Sequence, residues 1–347
     1  MSHKRHHEVH GPISGRWSLT RLRDTARELA ARWRRGEGER VPPTTEPAPE
    51  VEAPPTMPMR CGPVRPAPPE AFFTPEAMWR AWRAVRAAGG GAGVDGQTLA
   101  QFAERVEEEL AQLRRELITG TYRPREVRQV LVPKRKEGLR PLALWCLRDR
   151  IAQRVVYDII APSFEAIFLP SSFGFRPGLS TADAAAQVAA YRDQGLQWVV
   201  DADIESCFDS IPPGPLLELV RRRVHDRHLL RLIRGWLDAR ILNTVSGLPA
   251  AAVVAQGGVL SPLLANVYLH EFDRALARRR LALVRYADDW VVCCRRRVVA
   301  EAVLALCGQE LGRLSLRLNE HKTRIVHFDQ GFKFVGYFFI GRKMYRL

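Results

Sequence analysis

Three aspartates have the residue type and the spacing that could carry out chemistry in this chain. Asp203 ends the apolar stretch QWVVDADI (197–204), and Asp288 and Asp289 lie about 85 residues later within LALVRYADDWVVCC (281–294). Apolar strand patterns of this kind are buried, and a buried carboxylate without a partner is costly. Three such acids would also raise one another's pKa. Divalent cations remove that penalty, and Mg²⁺ prefers one or two carboxylates together with phosphate oxygens and water.

Two ions held by these acids would activate a hydroxyl nucleophile and stabilise a pyrophosphate leaving group. A single aspartate at a strand end is more often a solvated turn residue. An Asp-Asp turn inside an apolar hairpin, combined with a second strand that ends in Asp203, favours a metal site over that interpretation. Asp201 lies on the same strand face as Asp203 and is expected to support it or to form an ion pair. Asp209 is offset onto the next turn, and we assign it no catalytic role.

The charge of the chain indicates the kind of partner. The net charge is +15 and the pI is about 10.2, which favours a nucleic acid over an anionic membrane surface or a basic surface without a special partner. No run of 18 apolar residues and no secretory leader is visible, so neither a spanning helix nor membrane association is expected. The six cysteines form no C-x-x-C pair, and a cytoplasmic, reducing compartment is the simplest expectation.

The carboxylates must be positioned by an alternation of helices and strands. Residues 1–40 are predicted to form a basic segment, and residues 41–70, with eleven of the 24 prolines, an extended linker. The folded body is predicted to begin near Ala71, with Thr74 capping its first helix. The alternation excludes all-α and all-β folds and predicts an α+β fold. Helices are predicted after Thr74, through Phe102 to Leu117, and at 148–167, 181–194, 213–240, 261–279 and 299–315; strands or hairpins are predicted at 127–144, 197–204, 281–294 and 332–341.

These segments resemble the motifs of reverse transcriptases, and in particular those of the group II intron-like lineage. RYADDWVVCC (285–294) resembles the Y-A-D-D signature, and DIESCFDSI (203–211) resembles the preceding catalytic strand. The resemblance runs from Val94 to Phe339 through six or more motifs in order, and the further motifs are RPLALWCLRDRIAQRVV, SSFGFRPGLSTADA, QGGVLSPLLANVYLHEFD, LRLNEHKTRIVHF and FKFVGYF. It implies a right-hand polymerase with an antiparallel palm sheet, fingers at 71–195, a palm with primer grip at 196–347, and an absent or minimal thumb.

The resemblance also implies roles for individual residues. Phe208 would select deoxynucleotides by blocking a 2′-hydroxyl, although core packing explains a phenylalanine there equally well. The loop LPAAAVVAQGG departs from the family's shorter lead-in to the Gln-Gly pair. The metal site would consist of Asp203, Asp288, Asp289 and Ile204; the nucleotide site of Lys134, Arg140, Phe208, Gln256, Gly257 and Lys322; and the primer grip of Phe334, Val335 and Gly336.

The implied activity is RNA-directed DNA polymerisation with two Mg²⁺ ions, for which Mn²⁺ can substitute. Its substrates would be an RNA template, a DNA or RNA primer and dNTPs. The N-terminal extension and the C-terminal hairpin resemble those of CRISPR-associated reverse transcriptases, which implies a CRISPR adaptation integrase as a partner and spacer acquisition from RNA as the pathway. The alternatives are a group II intron-derived or other defence reverse transcriptase, and a non-catalytic nucleic-acid-binding subunit.

Overall fold

A computed structural model describes residues 62–133, 139–243, 249–251 and 257–347 of the chain. Within these ranges, helices alternate with the strands of three sheets, as an α+β fold requires. The helices are α1 (Pro69–Phe72), α2 (Pro75–Ala88), α3 (Leu99–Glu104), α4 (Val106–Thr119), α5 (Leu147–Glu165), α6 (Thr181–Asp193), α7 (Cys207–Ser210), α8 (Pro213–Arg221), α9 (Arg227–Leu237), α10 (Ser261–Ala277) and α11 (Arg297–Arg313). The strands are β1 (Val127–Pro133), β2 (Leu139–Leu144), β3 (Trp198–Asp203), β4 (Arg240–Asn243), β5 (Pro249–Ala251), β6 (Ala282–Tyr286), β7 (Asp289–Cys294), β8 (Arg324–His327), β9 (Phe332–Phe334), β10 (Tyr337–Ile340) and β11 (Lys343–Arg346).

The sheet that carries the aspartates has the order β6-β7-β3-β8, and all of its pairs are antiparallel. Its strands are mostly apolar, and both faces of the sheet are covered. On one face, Trp290 packs against Phe272 of α10, with the ring centroids 5.3 Å apart. On the other face, Val199 and Val291 share a core with Val188 of α6 and with residues of β9 and β10. The antiparallel palm sheet that the sequence predicts is therefore confirmed.

A second sheet, with the order β2-β1-β4-β5, was predicted only in part. The hairpin of β1 and β2 is confirmed, but β1 also pairs in parallel with β4, with Val127 opposite Ile241. The sequence predicts continuous helix over 213–240, and this is wrong at two places. The helix is interrupted between α8 and α9, where Asp226 caps α9 by accepting a hydrogen bond from the Leu229 amide at 2.8 Å. It then ends at Leu237, so that the chain can join the sheet as β4.

The described end of the predicted linker contacts the folded body. The Val64 amide donates to the Arg223 carbonyl at 2.7 Å, and the Val64 carbonyl accepts from the His225 amide at 2.9 Å. The Ala67 amide donates to the Asp226 carboxylate at 3.3 Å. The residues between the prolines keep backbone amides that can donate hydrogen bonds. Val64 and Ala67 use these amides to bind the segment beside α9. None of the helices in the described ranges is long and apolar enough to span a bilayer.

Candidate active site

The palm sheet gathers the three aspartates at one of its ends. Because β3 and β7 are antiparallel, Asp203 lies opposite Asp289 in the strand register. Asp288 lies in the two-residue turn that follows Tyr286, directly before Asp289. The sequence places both acids in the turn, whereas Asp289 is already the first residue of β7. Of the residues predicted to hold metal, the three carboxylates therefore lie at the same end of the sheet, two through strand pairing and Asp288 through the adjoining turn.

Lys322 supplies the positive charge of this cluster. Its Nζ donates a hydrogen bond to Asp203 Oδ2 at 2.6 Å, and Asn319 Nδ2 approaches the same oxygen at 3.4 Å. The hydrogen bond to Asp203 raises the pKa of Lys322, and the charges of Asp289 and Asp288 raise it further. A residue predicted to lie near the leaving phosphate thus lies within the carboxylate cluster.

Burial and electrostatic repulsion raise the pKa of the other two acids. The pKa of Asp288 is raised above its usual value, first by burial and then by the charge of Asp203. The pKa of Asp289 is raised to about 6, first because protein surrounds much of the carboxyl and then by the charges of Asp288 and Asp203. Among the described residues, the ammonium of Lys322 therefore does not offset the combined charge of the three carboxylates.

This donor set fits a divalent cation. Among the described residues, no three His, Cys, Asp or Glu side chains form a ready-made metal cage. Mg²⁺ does not require one, because it combines one or two carboxylates with substrate phosphates and water. The main-chain bonds that flank Ile204 run from the Glu205 amide to Arg317 and from the Asn319 amide to Asp203, both at 2.9 Å. Neither bond uses the carbonyl of Ile204. The strand pairing is therefore compatible with the predicted role of this carbonyl as a metal ligand.

Asp289→Asn is expected to stabilise the metal-free chain at pH 8 but not at pH 4. A carboxyl with a raised pKa binds its proton more tightly in the folded chain, so its contribution to folding is lost as pH rises through about 6. Asparagine removes that loss. The melting temperature in EDTA should rise by a few degrees at pH 8, and Glu104→Gln, an exposed acid on α3, is the control. An equal rise at both pH values would contradict repulsion as the cause.

Phe208 lies on α7, the short helix that follows β3. Its side chain is buried in the main apolar core, as the packing interpretation requires. The short helix is also next to the acids: the pKa of the neighbouring Cys207 thiol is raised to about 12, first by burial and then by the charge of Asp288. The proposed contact with a nucleotide sugar remains a prediction.

Gly257 makes a close backbone approach, although not to a ligand. It has a φ of +112°, and an added Cβ would lie 2.4 Å from the carbonyl oxygen of Ala143 in β2. Arg140 lies in the same strand, where its backbone pairs with Val132. Lys134 and Gln256 lie outside the described residues. The nucleotide-binding roles of these four residues remain predictions.

Gly257→Ala is expected to lower stability by about 1–3 kcal/mol, the usual cost of a strained backbone conformation, with a further cost from the clash with β2. The matched control is Gly312→Ala. An added Cβ at Gly312, within α11, meets nothing within 4 Å, and replacing a helical glycine by alanine gains about 0.5–1 kcal/mol. Thermal unfolding of both variants measures the difference. A tolerated Gly257→Ala would mean that the 257–258 segment can move away from β2.

The predicted primer grip forms a tight turn between β9 and β10. Phe334 is buried and pairs with Tyr337 across the turn. Val335 and Gly336 both have positive φ, at 43° and 84°. A β-branched residue in this region is a conformational outlier, and such strain concentrates at functional sites. The Leu347 amide donates to the Gly336 carbonyl at 2.8 Å, which adds β11 to the same small sheet.

A buried ion pair that was not predicted from the sequence lies beside the turn 287–288. Arg285 and Asp273 are both fully buried, and their side chains are 2.6 Å apart. A signal was present, because each is a charged residue inside an otherwise apolar pattern, Arg285 in a strand and Asp273 on the core-facing side of a helix. The expected ion pair of Asp201 is confirmed: Arg324 donates to its carboxylate at 2.8 Å.

Comparison with known proteins agrees with this geometry. Residues 132–339, more than half of the chain, match the model of the family described as reverse transcriptase (RNA-dependent DNA polymerase). Protein YkfC of Escherichia coli K12 is 34% identical over 290 residues, which cover 72% of this chain and 76% of YkfC. Group II intron-encoded protein LtrA of Lactococcus lactis subsp. cremoris is 30% identical over 232 residues, which cover 63% of this chain and only 38% of LtrA.

Among solved structures, a chain of a partial Cas6-RT-Cas1–Cas2 complex is 24% identical, with a TM-score of 0.43 and a coverage of 66% of this chain and 38% of that chain. The family match implies dependence on divalent metal ions. By the extent of the family match and the identity to YkfC, the chain belongs to the reverse transcriptases, the RNA-directed DNA polymerases, and it is related to those encoded by group II introns.

Proposed function

We propose that this chain extends a DNA or RNA primer along an RNA template from dNTPs, with two Mg²⁺ ions held by Asp203, Asp288 and Asp289. The observation that supports this most directly is the meeting of three carboxylates and the Lys322 ammonium at one end of the palm sheet. Bound there, two divalent ions would activate the primer 3′-hydroxyl and stabilise the pyrophosphate leaving group. Mn²⁺ has similar ligand preferences and should substitute.

The protein side chains would divide the remaining work. Lys322 pairs with Asp203 through an exposed, flexible side chain. With Asp203 engaged in holding a metal ion, the ammonium of Lys322 would be available to neutralise charge on the triphosphate during transfer. We assign nucleotide binding to Lys134, Arg140, Gln256 and Gly257, sugar selection to Phe208, and primer positioning to the turn of Phe334, Val335 and Gly336. Ile204 would add a main-chain carbonyl to the metal site.

Primer extension on an RNA template tests this proposal. The purified chain, given a labelled primer, dNTPs and Mg²⁺, should synthesise cDNA, and EDTA should stop synthesis. Mn²⁺ should restore it. Omission of the template should abolish it. If the chain binds the primer–template but extends it with neither ion, the alternative of a non-catalytic nucleic-acid-binding subunit is favoured.

The pathway is a narrower proposal. We infer from the resemblance of the N-terminal extension and C-terminal hairpin that the enzyme serves spacer acquisition from RNA, together with a CRISPR adaptation integrase. Both proteins would be expressed with a transcript that carries a self-splicing intron. New spacers that cross the splice junction would show acquisition from RNA. Spacers that match only the unspliced DNA would favour a group II intron-derived or another defence reverse transcriptase.

A further inference from the structure

Arg285 is fully buried next to the catalytic turn, and all of its side-chain donors are used. Nε donates to Asp273 Oδ1 at 2.7 Å, and Nη2 donates to Asp273 Oδ2 at 2.6 Å and to Ser172 Oγ at 2.7 Å. Nη1 donates to Asn266 Oδ1 at 2.9 Å and to the carbonyl of Ala287 at 3.0 Å. The five N–H groups of the guanidinium therefore have five acceptors in a region without solvent.

These acceptors belong to three separate parts of the chain. Asp273 and Asn266 lie on α10, Ser172 lies in the loop between α5 and α6, and Ala287 immediately precedes Asp288. The guanidinium thus joins the helix behind the sheet, a loop of the predicted fingers and the turn that carries a catalytic carboxylate. The link crosses the predicted boundary between fingers (71–195) and palm (196–347).

The backbone strengthens the same link. The Arg285 amide donates to the Ser171 carbonyl, and the Phe173 amide donates to the Arg285 carbonyl, both at 2.8 Å. Asn266 Nδ2 donates to the Gly174 carbonyl at 2.8 Å. Gly174 packs so tightly on the turn that an added Cβ would lie 2.3 Å from the amide nitrogen of Ala287. Arg285 therefore connects the loop 171–174 to the turn 287–288 by hydrogen bonds to both.

A gain in stability does not explain this arrangement, because a protein with apolar residues in place of a buried ion pair is often as stable or more stable. The turn does require support. Ala287 adopts a left-handed φ of 58°, which is unfavourable for a residue with a Cβ. Such a conformation persists only when its surroundings hold it, and the bond from Arg285 to the Ala287 carbonyl does so one residue before Asp288.

We propose that Arg285 is a positioning residue, which binds the loop 171–174 and the turn 287–288 into one rigid unit and thereby sets the place of Asp288 relative to Asp203. Its importance for catalysis rests on the proposed polymerase function. The rigidity of the unit does not, and it can be measured without polymerisation.

The test uses the full chain with the double substitution Arg285→Met and Asp273→Leu, which removes both charges and leaves neither buried alone. Hydrogen exchange by mass spectrometry should show peptides covering 171–176 and 286–290 losing protection together, by about tenfold or more, as expected when each loses hydrogen bonds. The interior of β3 should keep its protection. Mn²⁺ affinity, followed by electron paramagnetic resonance, should fall about tenfold. In primer extension, kcat should fall while KM for primer–template stays unchanged.

The matched control is Tyr122→Phe, which removes a buried hydrogen bond of 2.5 Å to Asp149, a residue that makes no hydrogen bond with Arg285. If the double variant fails to fold, Ser172→Ala serves instead, because it removes a single acceptor of Arg285 and should show the same changes at smaller size. Arg285→Lys should keep part of the wild-type protection. Unchanged exchange at 286–290 and unchanged Mn²⁺ affinity in a folded variant would overturn the proposal. If the double variant loses protection as predicted but the wild-type chain shows no primer extension, the proposed function fails and the rigid unit held by Arg285 stands.

Discussion

Asp288→Ala abolishes primer extension on an RNA template, with an expected loss of about a thousandfold or more. A metal ion at the reacting phosphate contributes several kcal/mol of transition-state stabilisation, and each 1.36 kcal/mol corresponds to a factor of ten in rate. Alanine removes the carboxylate without adding bulk to the turn. Template affinity should change by no more than about twofold, because phosphate contacts made by basic residues dominate it. Single-turnover extension and a filter-binding titration measure the two effects separately.

Asp209→Asn provides the matched control for this experiment. Asp209 lies on α7, is exposed, and has a pKa raised only by partial burial, so its removal should leave the extension rate near that of wild type. Extension by Asp288→Ala at the wild-type rate would refute the assignment of the metal site. A comparable loss in both variants would point instead to a general effect of negative charge in this region.

Phe208→Val increases the use of ribonucleotides relative to deoxynucleotides, by about 10–100-fold if the side chain blocks the 2′-hydroxyl. Valine is shorter than phenylalanine and leaves room for the extra oxygen. The quantity to measure is the ratio of kcat/KM for a ribonucleotide to that for the matching deoxynucleotide on one template. This ratio cancels a general loss of active enzyme.

The ratio must cancel a loss of active enzyme because Phe208 is buried in the core. Truncating a buried aromatic residue costs up to about 3–5 kcal/mol of stability. Ile211→Ala is the control, since Ile211 is fully buried in the same segment and should lose stability without a change in sugar preference. If the ratio stays constant in Phe208→Val, the residue has only a packing role and selection against the 2′-hydroxyl occurs elsewhere.

The sequence by itself determined the positions of most helices and strands and the three aspartates of the predicted metal site. Strand β3, the paired strands β6 and β7, and helices α5, α6, α10 and α11 lie close to the predicted positions, because apolar periodicity and capping are local properties. Thr74 caps α2 as predicted. The prediction that Asp203, Asp288 and Asp289 act together also needed only local patterns, since each acid lies at the end of an apolar strand or in the adjoining turn.

Apart from the three aspartates, the tertiary structure alone decided which distant residues meet. The bond from Lys322 to Asp203, the parallel pairing of β1 with β4, and the contact of Gly257 with β2 each join segments separated by about a hundred residues. The network of Arg285 likewise draws its partners from a loop, a helix and a turn. Such contacts depend on how layers pack, and a period of two or of 3.6 residues specifies only which face of an element is buried. It does not specify which neighbour covers that face, so the contacts that support the turn 287–288 follow only from the tertiary structure.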